Sequence, residues 1–188
     1  SINLGYCDRI TDKGVVELSY AFRNLSALRQ LSLDFWNFKS QKDEGMKSLV
    51  SSLKQTPFLD TLNLNFSKWD LLTSNTLARL SKSLYALSSL NCLSLDFYEC
   101  SLIKDSDIVA LLTAIGRLQF LKRLKLNFSG TAKLNHGGFN TLLNLLQSSK
   151  NLASLGLEFD GRTFKSIRIS KMMEIIGQIT GLKNLSLT

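Results

Sequence analysis

Leucine alternates with polar residues at regular intervals along this chain, and the same arrangement returns about every 31 residues. Its centre is a Leu-x-Leu pair with another leucine three residues upstream, as in Leu28, Leu31 and Leu33. Each of the middle five pairs is followed two residues later by phenylalanine. A pattern that keeps its phase in this way indicates an internal structural repeat. The pairs are Ile2/Leu4, Leu31/Leu33, Leu62/Leu64, Leu93/Leu95, Leu124/Leu126, Leu155/Leu157 and Leu185/Leu187, and the phenylalanines are Phe35, Phe66, Phe97, Phe128 and Phe159.

The hydrophobic period changes inside each repeat, from that of a strand to that of a helix. Leu31, Leu33 and Phe35 alternate and therefore share one face of a strand. The apolar spacing then becomes helical, as in Leu77, Leu80 and Leu84. Strands joined through helices must be parallel, with right-handed crossovers. The pattern predicts an α/β fold with complete strands near 31–35, 62–66, 93–97, 124–128 and 155–159, and partial strands near 2–4 and 185–187.

Polar or glycine-containing segments precede the predicted helices, for example Thr73-Ser74-Asn75 and Asn135-His136-Gly137-Gly138. Such residues satisfy free amide groups at a helix N-terminus, so we expect each helix to be capped by its own first residues.

The Leu-x-x-Leu-x-Leu register resembles the leucine-rich repeat family, in particular its ribonuclease-inhibitor-like subclass. The opening segment, from Ile2 to Val15 with Cys7, is similar to the cysteine-containing repeats that follow F-box modules in ubiquitin-ligase receptors. The resemblance implies one domain over 1–188, a right-handed leucine-rich repeat solenoid with a parallel concave sheet and convex helices. Repeats of about 31 residues would start near 1, 28, 59, 90, 121, 152 and 182. Neither end shows a polar cap, so we expect the chain to be a segment of a longer array or to have its ends covered by other chains.

The chain departs from the family pattern where each strand ends. The usual asparagine would fall at Trp36, Ser67, Tyr98, Ser129 and Asp160. We therefore expect no ladder of side-chain amides. In its place, the phenylalanines should stack inside and extend each strand by about two residues, with each ring pair worth about 0.5–1.5 kcal/mol beyond burial.

The residues between the inward leucines should line the concave face, and they form the candidate partner-binding site. A first column contains Ser32, Asn63, Ser94 and Lys125. A second column contains Asp34, Asn65, Asp96, Asn127 and Glu158, whose alternating acids and amides suggest a polar docking strip. A third column contains Trp36, Ser67 and Tyr98, where two rings would flank a groove with a small floor unless either ring folds back onto its own loop.

The chain carries a formal net charge of +8, but its basic residues are spread along the sequence without a long basic run. Lys122, Arg123 and Lys125 form the one short cluster. Nucleic-acid binding would need such charge interleaved with aromatic residues on one surface, so a nucleic-acid partner is disfavoured. There is no apolar run long enough to span a membrane. Three cysteines make a poor disulfide framework, which favours an intracellular, cytoplasmic location.

Signatures of catalysis are lacking. The single histidine, His136, lies at a predicted helix start, and the sequence has no phosphate-binding loop, His-Glu-x-x-His or Cys-x-x-Cys motif. Cys92 is expected on an exposed strand edge and Cys100 on a loop, both without a basic partner. We therefore expect no enzyme activity, cofactor, metal or small-molecule substrate, and predict a protein–protein interaction scaffold. The resemblance leaves two alternatives: a substrate-recognition receptor of an F-box-type ubiquitin ligase, and a regulator of a small GTPase.

Overall fold

The computed structural model describes residues 1–5, 7, 9–38, 43–131, 135–160 and 166–188. In this part of the chain, strands and helices alternate along the sequence. The strands are β1 Ile2–Asn3, β2 Gln30–Asp34, β3 Thr61–Asn65, β4 Cys92–Asp96, β5 Arg123–Asn127, β6 Ser154–Glu158 and β7 Asn184–Leu187. The helices are α1 Asp12–Arg23, α2 Glu44–Ser52, α3 Ser74–Leu84, α4 Asp105–Ile115, α5 His136–Ser148 and α6 Ser166–Gly177. A 3-10 turn at Leu53–Gln55 follows α2.

The described strands form one seven-stranded sheet in which spatial order follows chain order, and every neighbouring pair is parallel. The leucines of successive strands lie side by side, so that Leu31 pairs with Leu62 and Leu62 with Leu93. This confirms the predicted α/β class and the parallel pairing. Because neighbouring strands are parallel, the chain crosses over through a helix between each strand and the next. The helices pack against one another in the same order as the strands.

The core lies between the helices and one face of the sheet. It contains the inward leucines, the apolar helix positions and the phenylalanine column. The rings of Phe35, Phe66, Phe97, Phe128 and Phe159 stack in succession, with centroid separations of 5.9, 5.6, 5.4 and 5.9 Å. Because each strand repeats in register with the next, equivalent side chains meet at intervals that suit aromatic stacking. The predicted inward column is confirmed.

The expected lengthening of the strands is wrong. The strands β2 to β6 begin one residue before the predicted start and end before the phenylalanine. The phenylalanine N–H still donates to the next unit, as from Phe35 to the Asn65 carbonyl at 2.8 Å and from Phe97 to the Asn127 carbonyl at 2.9 Å. The chain then closes a tight turn, in which Phe38 N–H donates to the Phe35 carbonyl at 3.0 Å. Backbone hydrogen bonding between units thus extends to the phenylalanine, but the strand ends before it because the turn begins at that residue.

The starts of α2, α3 and α5 are linked across units, whereas α4 is capped from within as expected, because Asp107 Oδ2 accepts from the Lys104 N–H at 2.9 Å. The first residues of α3 and α5 were expected to cap those helices, yet neither Thr73 nor Asn135 makes a side-chain cap bond. An acid from the preceding unit accepts in each case. Asp12 Oδ1 accepts from Gly45 N–H at 2.6 Å, Asp43 Oδ1 from Thr76 Oγ1 at 2.6 Å, and Asp105 Oδ1 from Asn135 N–H at 2.8 Å. An acid beside a helix N-terminus is also favoured by the helix dipole.

We expect Asp43 to make stability depend on pH. Burial raises the pKa of Asp43, although the hydroxyls of Thr73 and Thr76 and the charge of Lys47 act in the opposite direction. The folded state therefore binds this proton more tightly than the unfolded chain. The stabilisation is complete below the unfolded pKa of about 4 and is lost as the pH rises through the folded value.

The substitution Asp43→Asn keeps the size of the side chain and removes its titration. Urea unfolding at a series of pH values should show the variant gaining stability relative to the wild type as the pH rises from about 4. A difference in unfolding free energy that does not change with pH would contradict the assignment.

The last described strand has apolar side chains on its surface. Leu185 and Leu187 of β7 are exposed, whereas the apolar residues of α6 and of the turn after it are buried, namely Met172, Ile175, Ile176 and Ile179. They join the same core as the helices before them. The expectation that the chain is a segment of a longer array stays a prediction. Among the described residues, none of the helices has the length and apolar character needed to cross a membrane.

Candidate functional site

One face of the sheet is packed against the core, and the other face, called here the open face, carries the predicted columns. The inward leucines of β2 to β6 are buried, and the residues between them are mostly half-exposed. The first column forms a row across the sheet, with Ser32 beside Asn63, Asn63 beside Ser94 and Ser94 beside Lys125. The register therefore brings together residues that are 31 positions apart in the sequence.

A shallow depression of about 700 Å³ lies on the open face over β3 to β7. Most of its side chains are small, including Asn63, Ser94 and Ser186. Lys125 extends across Gly156, where an added Cβ would lie 3.3 Å from Lys125 Cγ. The Lys125 ammonium then pairs with Glu158 Oε1 at 3.0 Å. Small neighbours thus leave room for one long cationic side chain in the middle of the face.

The second column is a structural ladder, which corrects the expectation that no such ladder exists. In its first four members a side-chain oxygen accepts the backbone N–H two residues later, which turns the chain out of the strand, whereas Glu158 pairs with Lys125. Lateral bonds join the rungs, since Asn127 Nδ2 donates to Asp96 Oδ2 at 3.2 Å and Ser67 Oγ donates to Asp96 Oδ1 at 2.7 Å. The acceptors are Asp34, Asn65, Asp96 and Asn127, and their donors are Trp36, Ser67, Tyr98 and Ser129 at 2.9–3.0 Å.

The ladder stands one residue before the phenylalanine, whereas the sequence comparison looked for it one residue after. This position also explains why acids and amides alternate, because an amide can donate sideways to a carboxylate. The side chains of this column are therefore engaged within the fold. A partner docking on this column could use only the side-chain oxygen lone pairs that these internal hydrogen bonds leave over. The column therefore has less capacity to bind a partner than the sequence suggested.

The third column brings two aromatic residues to the loop edge of the open face. Trp36 is 37% exposed and Tyr98 is half-exposed, while Ser67 between them is buried. The expected groove floor is thus a hydroxyl already bonded to Asn65 and Asp96. Lys68 lies beside this floor, with its ammonium 5.7 Å from the centre of the Tyr98 ring.

A small charged network surrounds Tyr98. A hydrogen bond to Glu99, together with the charge of Glu99, raises the pKa of the Tyr98 hydroxyl. The same bond to Tyr98 lowers the pKa of Glu99, and Lys68 acts in the same direction at a distance of 3.5 Å. These contacts orient the ring and present a cation and an aromatic edge together on the surface.

The turns after the strands share an unusual backbone conformation that sequence reasoning did not detect. Asn37, Lys68, Glu99 and Gly130 have φ values of 52°, 58°, 55° and 71°. Residues with side chains adopt this left-handed region at a cost. A Cβ at Gly130 would also come within 2.8 Å of Glu99 Cγ. In the sequence, the only trace of these recurring positive φ values is that two of the four positions are Asn37 and Gly130, residue types that tolerate this conformation.

The expectation for Cys92 needs correction, whereas Cys100 lies on the loop after β4 as expected. Cys92 is buried and not on an exposed edge, and Arg123 Nε donates to its Sγ at 3.0 Å, so it has a basic partner. Cys100 is fully buried, and its burial raises the thiol pKa to about 12. Its Sγ donates to the Phe66 carbonyl at 3.0 Å. Cys100 is therefore a packed core residue without thiolate character.

Two solved structures share this fold. The region described as leiomodin-1 actin-binding site 2 (ABS2) aligns with a TM-score of 0.60 and 13% identity, over 88% of this chain and 87% of that chain. The C-terminal domain of tropomodulin from Caenorhabditis elegans aligns with a TM-score of 0.65 and 11% identity, over 88% of this chain and 92% of that chain. No protein-family model matches the chain, and the comparison with curated proteins gave no match. At these identities the likeness concerns the fold.

These findings overturn the family resemblance drawn from the sequence. The similar structures are tropomodulin and leiomodin domains, and not members of the ribonuclease-inhibitor-like leucine-rich repeat subclass. The leucine-rich repeat solenoid is likewise unsupported beyond an α/β fold with a parallel sheet. The leucine pattern shows only which positions of each strand and helix are buried. Any stack of strand–helix units needs buried apolar residues at the same spacing. The F-box-like repeat rested on Cys7, which lies in a backbone turn where its N–H donates to the Leu4 carbonyl at 3.2 Å. The ubiquitin-ligase alternative loses its support with it.

Proposed function

We propose that this protein is a non-enzymatic protein-interaction module whose partner binds the open face at its loop edge, around Trp36 and Tyr98. The observation that carries the proposal is a parallel sheet with helices on one side only. Parallel sheets are normally covered on both faces. Here the face opposite the core is half-exposed and polar, and two aromatic residues stand at its edge.

The rigidity of this surface supports the same proposal. The ladder through Asp34, Asn65, Asp96 and Asn127 holds the strand ends, and hydrogen bonds fix the turns that carry the aromatic residues. A surface that is already ordered loses little conformational entropy when a partner binds. Exposed Trp and Tyr are also among the residue types that contribute most to binding energy at interfaces.

Actin is the first partner to test. One of the structures with this fold is an actin-binding site of leiomodin-1. The proposal extends that partner class to this chain as a hypothesis, together with a cytoplasmic location.

Co-sedimentation with actin filaments tests both the partner and the site. We expect the wild type to bind and the double substitution Trp36→Ala plus Tyr98→Ala to weaken binding, by at least about 1–2 kcal/mol for each ring. Tyr20→Ala plus Met173→Ala is a matched control, because these residues are similarly exposed but lie on helices α1 and α6. The control should bind like the wild type.

Two other outcomes would change the conclusion. If the Trp36 and Tyr98 variant binds as well as the wild type, the partner uses another surface. If the wild type does not co-sediment, actin is not the partner. Affinity capture followed by mass spectrometry would then have to yield a partner whose binding depends on Trp36 and Tyr98, or the proposed site fails.

A further inference from the structure

The positive charge of the chain is concentrated at one edge of the sheet, which we call the basic edge. It comprises the six connections that return from a helix to the next strand, namely 24–29, 53–60, 85–91, 116–122, 149–153 and 178–183, all within the described residues. These connections hold six exposed cations and a single acid, Asp60. The cations are Arg29, Lys54, Arg117, Lys122, Lys150 and Lys183.

Topology explains why the sequence concealed this edge. Because all the strands are parallel and follow chain order, every return connection reaches the sheet at the amino end of a strand. Residues about 31 positions apart therefore become neighbours, with about 4.8 Å between adjacent strands. In the sequence the same cations form no run, so the charge looked diffuse.

The cations of the basic edge are not neutralised inside the fold. None of the six forms a salt bridge with a carboxylate in the part of the chain that the structure describes. The acid Asp60 is occupied by its own neighbours, since its oxygens accept from Asn91 Nδ2 and from Thr61 Oγ1. The edge therefore presents a positive field that an external acidic group could neutralise.

Aromatic rings stand among these cations. Phe120 and Phe58 are 59% and 52% exposed, which makes them the most exposed large apolar side chains in the described part of the chain. Phe58 lies three residues before Thr61 and Phe120 three residues before Arg123, and both of these strand residues pair with Cys92 on the strand between them. The backbones of Phe58 and Phe120 are thus about 10 Å apart across the half-buried Ser89.

Two of the arginines lie against exposed aromatic residues. The Arg29 guanidinium lies 5.6 Å from the centre of the Phe58 ring, and that of Arg117 lies 5.2 Å from the centre of the Tyr85 ring. A guanidinium held over a ring by this cation–π contact keeps its N–H groups available to donate to another partner. That arrangement suits bidentate contact with a carboxylate.

We propose that the basic edge is a second interaction surface, which binds an acidic protein segment carrying apolar side chains. The carboxylates of the segment would meet Arg29 and Arg117, and an apolar side chain would enter between Phe58 and Phe120. Nucleic acid fits less well, because bases bind by stacking on free ring faces. Guanidinium groups already lie over Phe58 and Tyr85.

Fluorescence anisotropy with a labelled peptide of alternating glutamate and leucine residues tests the proposal. We expect the peptide to bind the wild type and the version with glutamine in place of glutamate not to bind. The double substitution Arg29→Glu plus Arg117→Glu should weaken binding by about tenfold or more, and Phe58→Ser plus Phe120→Ser by a similar factor. All four positions are exposed, so circular dichroism should show that both variants stay folded.

The matched control is Lys82→Glu plus Lys171→Glu, which changes the net charge equally but on the exposed surfaces of α3 and α6. It should leave peptide affinity within about threefold of the wild type. Equal losses in the two charge reversals would show attraction by bulk charge and overturn the proposal. Absence of peptide binding, or tighter binding of labelled oligothymidylate than of the peptide, would also overturn it.

A further comparison separates this surface from the proposed open-face site. The variant Trp36→Ala plus Tyr98→Ala should bind the acidic peptide as the wild type does. If that variant loses the peptide and the basic-edge variants retain it, the peptide binds the open face and the inference fails, while the proposed function stands.

Discussion

Replacing Phe97 by alanine should lower the free energy of unfolding by about 3–5 kcal/mol. Phe97 is fully buried, and its ring stacks on Phe66 at 5.6 Å and on Phe128 at 5.4 Å. The substitution removes the ring from the middle of the column, so both neighbours lose contacts and a cavity remains. Urea unfolding followed by circular dichroism measures the change.

Phe120→Ala is the matched control for this experiment. It removes the same side chain from an exposed position, where surface substitutions usually change stability by no more than about 0.5 kcal/mol. A Phe97→Ala variant as stable as the control would show that the ring column does not hold the units together.

Replacing Gly45 by alanine should destabilise the protein by about 1–3 kcal/mol, because helices α1 and α2 meet there without space for a side chain. An added Cβ would lie 2.5 Å from the Asp12 carbonyl oxygen and 2.9 Å from Val15 Cβ. The Gly45 N–H also donates to Asp12 Oδ1 at 2.6 Å, so a shift of α2 would strain that bond. Thermal and urea unfolding should both report the loss.

Gly177→Ala tests the opposite expectation at another helical glycine. Apart from its chain neighbours and the backbone of its own helix, no atom of the described residues lies within 4 Å of the added Cβ. Alanine also favours a helix over glycine by up to about 1 kcal/mol. This variant should be as stable as the wild type or more stable. If Gly45→Ala behaved in the same way, the close approach of α1 and α2 would be refuted.

The strands and the core were predictable because their signal is local. Leu31, Leu33 and Phe35 alternate within a few residues, and the helical spacing of Leu77, Leu80 and Leu84 is equally short in range. The positions of the strands were therefore accurate to one residue. The family assignment failed because the same pattern serves any stack of strand–helix units and carries no information on ancestry.

The polar contacts were missed because they join residues of different units. The sequence shows Asp96 and Asn127 only as an acid and an amide, and their role appears when the register places them side by side. The acids at the helix starts behave in the same way, since Asp12 serves Gly45 and Asp43 serves Thr76. A capping rule that looks only within one helix cannot find such partners.

The aromatic part of the open-face site was also only partly visible in the sequence. The sequence singled out Trp36 and Tyr98 by continuing the strand alternation past the phenylalanine, but both residues lie in the turns that follow β2 and β4. It could not reveal that Ser67 is buried beneath them or that Lys68 lies over Tyr98.

By itself the sequence determined the α/β class, the period of the units and the buried phenylalanine column, because burial repeats with the geometry of a strand or a helix. Only the tertiary structure decided which polar groups form hydrogen bonds inside the fold and where the basic side chains cluster on the surface. Parallel stacking converts a separation of 31 residues into about 4.8 Å, and hydrogen bonds and electrostatic fields act over that distance. The ladder at Asp96 and the basic edge at Arg117 both arise from that conversion.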